Sequence, residues 1–221
     1  MLNNKYEYIL VFDFETTGLS PFNDRIIEIG AILLKKTPSG AYQINDELNV
    51  LIKQDMPLNE KIVEITGITD QLLNEQGITE AEAFLKFQKL HKKECLLVAY
   101  NISFDYGFLN ELYKRHLNDK NIFISNDLLD VMAIYKDRHP YPHRLESAVN
   151  TYNIVNEDAH RALDDAKATL YVLVKMIEER DSAEKYINVI GYNPRYGPSE
   201  YKAPHVSYVP QYGNRLEIEK R

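Results

Sequence analysis

The chain of 221 residues has 44% hydrophobic and 27% charged residues, which is the composition of a globular protein with one domain, or one domain and an extension. Its formal net charge of -7 excludes a polycation that wraps nucleic acid without specificity, because such binding depends on Lys and Arg side chains that neutralise phosphates. Cys95 is the single cysteine, so an internal disulfide is excluded. No stretch reaches the ~18 apolar residues of a membrane span, and MLNNKYEYILVF lacks the pattern of a signal peptide. We therefore expect a cytoplasmic protein without a membrane partner.

The first part of the chain predicts three strands joined by short turns. YEYILVFDFE, RIIEIGAILLKK and AYQINDELNVLI are rich in β-branched and aromatic residues, and PSG between the last two marks a turn. The next segment, LNEKIVEITGITDQLLNEQ, is typical of short helices interrupted at Gly67. A capping box from Thr79 to Glu82 then begins the helix AEAFLKFQKLHKK.

The second part alternates strands with helices. CLLVAYN predicts a short buried strand, FDYGFLNELYKRHL a helix, NIFISNDLLDVMAIYK a strand and a short helix, and HRLESAVNTYNI another helix. The last helix, HRALDDAKATLYVLVKMIEER, has apolar residues at steps of three or four along one face, namely Ala162, Ala166, Leu170, Leu173 and Ile177. This order of elements predicts an α/β domain with a mixed sheet.

The C-terminal tail differs from the rest of the chain in composition. Residues 186–213 hold six of the 16 tyrosines and four of the nine prolines, with no helical period, and the prolines exclude a regular central strand. We therefore expect an irregular, extended arm over residues 181–221 beside a domain over residues 1–180. The arm could pack on its own domain or on a second copy, or its rings could stack on single-stranded bases; we favour the interface or packing role.

Two carboxylates, Asp13 and Glu15, lie at the end of the first strand and on one face of it, because strand side chains alternate. A strand with one solvent-facing side would explain the pair, but the continuous apolar run YILVF favours a strand covered on both faces. Ionised carboxylates are costly to bury unless positive charge pairs with them. Their partner therefore decides the chemistry of the protein.

Three more polar residues follow predicted elements in a similar way: Asp105 comes after the second buried strand, and His160 lies five residues before Asp165. Alone, each has an ordinary explanation as a helix cap, a loop histidine or an exposed helix charge. Together they predict one pocket in which four carboxylates repel each other unless cations lie between them. Oxygen ligands favour Mg²⁺ or Mn²⁺, and two such ions ~3.5–4 Å apart promote phosphoryl displacement, with histidine as a suitable general base.

These three motifs resemble those of the DEDD superfamily of exonucleases: D-x-E in VFDFETTGL, N-x3-D in YNISFDYGFL and H-x4-D in HRALDD. The histidine of the third motif is similar to that of the DEDDh branch, which includes epsilon-type proofreading exonucleases and RNase T. A tyrosine branch has Tyr four residues before the last Asp, where this chain has Arg161. The resemblance runs from about residue 6 to 180 and is greatest to exonuclease segments attached to bacterial replicative polymerases, or to their free-standing relatives.

The resemblance implies a ribonuclease-H-like fold, a mixed five-stranded sheet flanked by helices, and 3′→5′ removal of nucleoside 5′-monophosphates from nucleic-acid ends. It implies two divalent ions, Mg²⁺ or Mn²⁺, with His160 as the general base and Asp13 bridging both ions. The implied metal ligands are Asp13, Glu15, Asp105 and Asp165. The implied substrate contacts are Thr16, Thr17, Gly18, Leu19, Asn101 and Phe104.

Two further positions are compared with the family. The segment ITGIT has Thr66 where relatives with V-H-G-I-T have histidine, which leaves one substrate contact open but not the metal site. Asp130 matches an aspartate that often follows a strand near the site in the family, and a simple helix N-cap explains it equally well.

Three functions remain possible from the sequence. The first is an active exonuclease that acts on the 3′ end of single-stranded DNA or RNA, with single-stranded DNA favoured. Its arm could also bind a DNA polymerase or a second copy of the chain. The second is a binding module that has lost activity, which the intact motifs argue against. The third is a phosphodiesterase for dinucleotides. The choice between DNA and RNA depends on 2′-OH contacts that the sequence does not reveal.

Overall fold

The fold is a mixed five-stranded sheet with helices on both faces, and the computed structural model describes residues 5–155 and 160–221. The strands, in the spatial order β3-β2-β1-β4-β5, are β1 (Tyr8–Thr16), β2 (Ile26–Lys36), β3 (Tyr42–Leu51), β4 (Leu96–Ala99) and β5 (Leu128–Asp130). The first three form an antiparallel meander, whereas β4 and β5 run parallel to β1. The predicted α/β class and sheet are therefore confirmed.

Seven α-helices cover the sheet in the described part of the chain. They are α1 (Glu60–Thr66), α2 (Asp70–Gln76), α3 (Glu80–Leu90), α4 (Ile102–Leu117), α5 (Val131–Arg138), α6 (Leu145–Thr151) and α7 (Ala162–Glu179). The predicted capping box is present, since Thr79 Oγ accepts from the backbone N–H of Glu82 and the Glu82 carboxylate accepts from that of Thr79. Gly67 ends α1 with a φ of 68°, a left-handed conformation that favours glycine.

The central strand β1 is covered on both faces, as its apolar run predicted. Leu10 and Phe12 face a core that includes residues of α3 and α4, and Ile9 and Val11 face a second core that includes residues of α5, α6 and α7. All four side chains are at most 4% exposed. Because strand side chains alternate, the residues that follow Ile9 and Val11 on the same face are Asp13 and then Glu15.

The C-terminal arm is more regular than its sequence predicted. A 3₁₀ turn (Ala183–Tyr186) leads into β6 (Val189–Tyr192), which pairs in parallel with β7 (Ser207–Pro210). The expected absence of a central strand holds, because Pro210 ends a short two-stranded ribbon. The arm packs on its own domain, since Val209 and Ile218 are at most 2% exposed within the same core as α5 and α7.

Within residues 5–155 and 160–221, no helix has the length and apolar character needed to cross a bilayer.

Candidate active site

Asp13 and Glu15 lie near the C-terminal end of β1, with both side chains partly exposed. In the antiparallel pair with β2, Asp13 is opposite Gly30 and Glu15 is opposite Glu28. A register shift between Glu15 and Thr16 ends the regular pairing. The two carboxylates therefore lie at the end of β1, next to this irregularity, where their side chains are partly exposed.

The glycine opposite Asp13 allows α7 to approach the sheet. A Cβ atom at Gly30 would overlap the backbone of Ala162, in the first turn of α7. Only the absence of a side chain lets this helix begin directly over β2. The contact places the start of α7 beside the two β1 carboxylates.

A buried ion pair between Glu28 and Arg161 holds the same helix start. Glu28 is fully buried, and its carboxylate accepts from Arg161 Nε at 3.0 Å, from an Arg161 terminal nitrogen at 2.6 Å, and from the Ala162 N–H at 3.0 Å. A forked pair of this kind fixes direction as well as distance. This pair was not predicted from the sequence, although a glutamate inside the apolar strand IIEIG is a signal of a buried ion pair.

His160 and Asp165 meet Glu15 at the start of α7. His160 adopts a φ of 68°, and its N–H donates to Asp165 Oδ2 at 3.3 Å. One possible ligand atom from each of Glu15, His160 and Asp165 lies within 4.8 Å of the other two. The structure thus brings these three predicted residues together, with His160 exposed on the approach to the cluster.

Asp105 reaches the cluster from the first turn of α4. It is 2% exposed, and its Oδ1 accepts from the backbone N–H of Phe14, between Asp13 and Glu15, at 3.1 Å. This bond fixes the carboxylate against β1. All four predicted acidic residues therefore lie at one end of the β1 and β4 strands, as expected for parallel strands of an α/β sheet.

The electrostatics of the site favour protonated carboxyl groups in the chain alone. Burial raises the pKa of Glu15 to about 9, with Asp13 and Asp165 adding to the effect and Arg161 opposing it. Burial, and then Asp165, raises the pKa of Asp13 well above its usual range. Burial, and then Asp13, does the same for the pKa of Asp105. The Arg161 guanidinium binds Glu28, so most of its charge serves that carboxylate. A divalent cation at the site would relieve the repulsion among the other carboxylates. The oxygen-rich set of ligand atoms fits Mg²⁺ or Mn²⁺.

The turn after β1 is held by several hydrogen bonds and leaves the apolar side chains of Leu19 and Phe22 exposed. Thr17 Oγ accepts from the Arg25 N–H at 3.0 Å, and Asp24 accepts from the Ser20 N–H at 2.8 Å. A Cβ at Gly18 would lie 2.6 Å from the Asp24 carboxylate, so a larger residue there would displace this carboxylate from its bond with the Ser20 N–H. Leu19 is 84% exposed. Thr16 completes the turn by donating its hydroxyl to the carbonyl of Gly18.

The second-motif residues lie at the start of α4. Asn101 is exposed with a φ of 65°, and its N–H donates to Asp130 at 3.0 Å. Phe104 is partly buried and packs on Phe108, with ring centroids 5.0 Å apart. These positions leave Asn101 accessible beside the acidic cluster. Their contact with substrate remains a prediction.

The structure gives both Asp130 and Thr66 local structural roles. Asp130 is the N-cap of α5, accepting from the Met132 N–H, and burial raises its pKa to about 6 against the opposing effect of the backbone donors. Thr66 is 5% exposed; its hydroxyl donates to the Ile62 carbonyl and accepts from the Ile68 N–H. Thr66 therefore stabilises the turn between α1 and α2.

The chain matches a family model described as exonuclease (RNase_T) over residues 10–173. It is 34% identical over 199 residues to a protein of Latilactobacillus sakei named DNA polymerase III PolC-type, which covers 88% of this chain. It is 36% identical over 185 residues to the protein of that name in Bacillus subtilis, which covers 82% of this chain. The chain spans 13% and 12% of these two relatives.

Solved structures of exonuclease I share the fold. The Escherichia coli enzyme in a complex with single-stranded DNA has a TM-score of 0.67 at 24% identity, over 80% of this chain and 41% of that chain. Exonuclease I from Methylocaldum szegediense has a TM-score of 0.63 at 23% identity, over 78% of this chain and 40% of that chain. The likeness supports the ribonuclease-H-like arrangement of the sheet.

Proposed function

The chain belongs to the RNase_T exonuclease family, and we propose that it is a metal-dependent 3′→5′ exonuclease that releases nucleoside 5′-monophosphates from single-stranded DNA. The observation that carries this proposal is the convergence of Glu15, His160 and Asp165 within 4.8 Å, with Asp13 and Asp105 raised in pKa by burial and by neighbouring carboxylates. A cluster of this kind is electrostatically unfavourable without cations.

We assign the four carboxylates to metal binding. Asp13, Glu15, Asp105 and Asp165 would hold two divalent ions. When bound, such ions supply charge neutralisation for the phosphodiester and activation of water. The Phe14 N–H keeps Asp105 oriented toward this site through its 3.1 Å bond, and the pair of Glu28 and Arg161 keeps the start of α7 in place.

His160 is the proposed general base. Its ring lies within 4.8 Å of both Glu15 and Asp165, on the exposed side of the cluster where a substrate phosphate and water can enter. A ring nitrogen of histidine can accept a proton from an attacking water. The hydrogen bond from its own N–H to Asp165 restricts the position of the residue.

The turn after β1 would receive the terminal nucleotide. Leu19 would present its exposed apolar surface to the last base, beside the backbone of Thr16, Thr17 and Gly18. Asp24 supports this turn by accepting from the Thr17 hydroxyl and from the Ser20 N–H. Asn101 and Phe104 would contact the nucleotide from the α4 side. A rigid turn restricts the position of the scissile phosphate, which is a large part of catalysis by proximity.

The named relatives support DNA as the substrate. The curated relatives are DNA polymerases, and solved structures with this fold include exonuclease I with single-stranded DNA. We propose that this chain also acts on DNA, and that a DNA polymerase or a second copy is a partner through the arm. We also propose the domain boundary near residue 180, with residues 181–221 as the arm.

A paired digest tests the function. Single-stranded DNA and RNA of equal sequence, labelled at the 5′ end, are incubated with the protein and Mg²⁺ or Mn²⁺. A labelled ladder that shortens from the 3′ end, with 5′-monophosphates identified by mass spectrometry, is the expected result, and DNA is expected to be cut faster. EDTA and Asp13→Ala abolish it, whereas Asp46→Ala, an exposed aspartate on β3, does not.

Other outcomes contradict defined parts of the proposal. Immediate release of the label as a mononucleotide would reverse the direction of digestion. Cleavage of two-nucleotide substrates alone would replace the exonuclease with a dinucleotide phosphodiesterase. A folded protein without cleavage of any substrate would overturn the enzymatic function.

A further inference from the structure

A cavity of about 640 Å³ lies beside the acidic cluster, between the domain and the arm. Its walls come from the start of α4, from α5, from the start of α6, and from two separate segments of the arm. The arm contributes Arg195 and Tyr212 to these walls. The cavity therefore exists only because the arm packs on its own domain.

Three cations line this cavity without a direct carboxylate contact. The side chains of Lys136, Arg144 and Arg195 form no ion pair and no hydrogen bond with the residues in the described ranges. Four other arginines do pair with carboxylates, namely Arg115, Arg138, Arg161 and Arg180. In a chain with a net charge of -7, three cations without an ion pair in one cavity indicate an anionic ligand.

The position of Lys136 strengthens this point. Lys136 is only 7% exposed, it lines the cavity, and its amine forms no hydrogen bond with the described residues. Asp130 and Glu217 attract its charge but form no ion pair with it. An anion in the cavity would give this cation the direct partner that these two carboxylates do not supply.

The cavity also has exposed aromatic rings. Tyr141 is 80% exposed and Tyr212 is 63% exposed, and the two residues lie on the domain wall and the arm wall respectively. Base stacking on exposed rings, combined with cations along the backbone, is the usual way in which proteins hold single strands. A small inorganic anion would make no use of these rings.

One residue connects the cavity to the acidic cluster. Asn101 lines the cavity, and Asp105 lies four residues later in the first turn of α4. Four residues of helix correspond to ~6 Å along its axis. A strand whose 3′ end lies at the cluster can therefore pass over the start of α4 into the cavity.

We propose that this cavity binds the single strand upstream of its 3′-terminal nucleotide, with Lys136, Arg144 and Arg195 on phosphates and Tyr141 and Tyr212 stacked on bases. The direction of the strand rests on the proposed function. The phosphodiester backbone is common to DNA and RNA, and the arm is part of the binding site in either case. The proposal gives the exposed Tyr212 of the arm a role beyond packing.

Binding without cleavage tests the proposal. Fluorescence anisotropy is measured in EDTA with 5′-fluorescein dT15, U15 and dT2, over a range of salt concentrations. The test variant is Arg144→Ala/Arg195→Ala, because both side chains are exposed and their removal leaves the fold intact. The control is Lys92→Ala/Lys93→Ala, which removes two exposed cations before β4, at the opposite end of that strand from Asn101.

We expect the test variant to weaken dT15 binding on the order of tenfold, and to lower the salt slope of log K by about 1.4, because each phosphate contact on a single strand contributes about 0.7. Binding of dT2 changes much less, because its single phosphodiester lies at the acidic cluster and leaves no further phosphate for the cavity. If the affinity for U15 falls as much as that for dT15, the cavity recognises the phosphodiester backbone that DNA and RNA share.

The cavity proposal and the proposed function fail in different ways. If dT15 binding and its salt slope are the same in the test variant, the control and the wild-type protein, the cavity proposal is wrong even when the digest succeeds. If the wild-type protein binds dT15 through the cavity but cleaves nothing, the exonuclease function is wrong and the cavity stands as a strand-binding site.

Discussion

At the residue scale, the acidic cluster lowers the stability of the chain alone. Asp13 and Glu15 are brought near Asp105 and Asp165 by elements that are distant in sequence, and the carboxyl groups of Asp13, Glu15 and Asp105 meet burial and repulsion there. A raised carboxyl pKa means that the folded chain holds a proton that the unfolded chain releases. The folded state therefore loses stability as the pH rises above the unfolded pKa.

The first prediction concerns this loss in the metal-free protein. For Glu15 the window runs from 4.5 up to about 9, so the free energy of unfolding in EDTA falls as the pH rises through this range. Asp13→Asn removes one of the interacting charges, and we expect it to raise the stability in EDTA by about 1–2 kcal/mol at pH ~8. Urea unfolding at pH ~6 and ~8 measures both effects.

The control for Asp13→Asn is Asp46→Asn, which changes an exposed aspartate of β3. We expect Mn²⁺ to raise the stability of the wild-type protein and of the control, and to have a much smaller effect on Asp13→Asn. A loss of stability for Asp13→Asn in EDTA would show that the carboxylate has a compensating partner, and would contradict the repulsion.

The second prediction concerns Asp137, which anchors the arm. This fully buried carboxylate accepts from the Tyr186 hydroxyl at 2.9 Å, from Gln211 Nε2 at 2.8 Å, and from the N–H groups of Ile218 and Glu219 at 3.0 Å. Hydrogen bonds to a buried charge are strong, and their donors are costly to leave unpaired.

We expect Asp137→Ala to lower the free energy of unfolding by about 3–5 kcal/mol and to make the arm sensitive to proteolysis. Asp137→Asn keeps one acceptor oxygen and should lose less. Asp119→Ala is the matched control, since that side chain is exposed at the end of α4. An arm that resists protease in Asp137→Ala would show that apolar packing alone holds it.

At the element scale, the sequence predicted the long elements better than the short ones. β1, β2 and α7 have apolar patterns that run over many residues, and the antiparallel meander followed from the turn signals. The parallel ribbon of β6 and β7 was not predicted, because each strand has four residues and its partner lies beyond a loop rich in proline and glycine. Local propensity does not identify such a pairing.

The same distinction holds within the site. The motif residues were found from their spacing and from the family resemblance, whereas the pair of Glu28 and Arg161 spans 133 residues and leaves no local pattern. The bonds from Asp137 to the arm span 49 to 82 residues. Long-range polar pairs of this kind depend on the fold, so a single sequence does not reveal them.

The third prediction tests whether the pair of Glu28 and Arg161 positions α7. Arg161→Ala leaves a fully buried carboxylate with one remaining donor, the Ala162 N–H, and we expect a loss of about 3–5 kcal/mol in stability. The helix start that carries His160 and Asp165 should shift, so kcat should fall by about 10²-fold with a smaller change in KM.

The controls for Arg161→Ala separate charge from geometry. Arg161→Lys keeps the charge but loses the forked contact, so it should be intermediate in both stability and kcat. Lys167→Ala removes a partly exposed cation from the same helix and should change neither. If Arg161→Ala lost stability but kept its kcat, the ion pair would be structural without positioning the site.

At the scale of the whole molecule, the arm is part of the folded unit. Its 3₁₀ turn buries Tyr186 completely, its strand β7 buries Val209, and Ile218 packs near the chain end. Asn188 continues the sheet edge, because its N–H donates to the Leu128 carbonyl of β5 at 2.8 Å and its side chain accepts from the Leu128 N–H at 2.9 Å. The compositional change at residue 180 therefore coincides with a change of structure but not with a loss of contact.

The fourth prediction is that the domain over residues 1–180 depends on the arm for its stability. Truncation after Arg180 would expose Leu129 and the α5 face that Tyr186, Val209 and Ile218 now cover, and would leave the Asp137 carboxylate without its donors from the arm. At ~25 cal/mol per Å² of apolar surface, loss of three buried side chains costs several kcal/mol, which corresponds to more than ~10 °C in melting temperature. Thermal unfolding of the purified fragment measures the shift.

A protease site inserted after Ser199, in the loop between β6 and β7, is the control for this truncation. The cut protein keeps every packed segment and should melt close to the intact protein. A fragment that melts at the same temperature as the full chain would mean that the arm is held by the domain without stabilising it, and that its contribution lies in the strand-binding cavity alone.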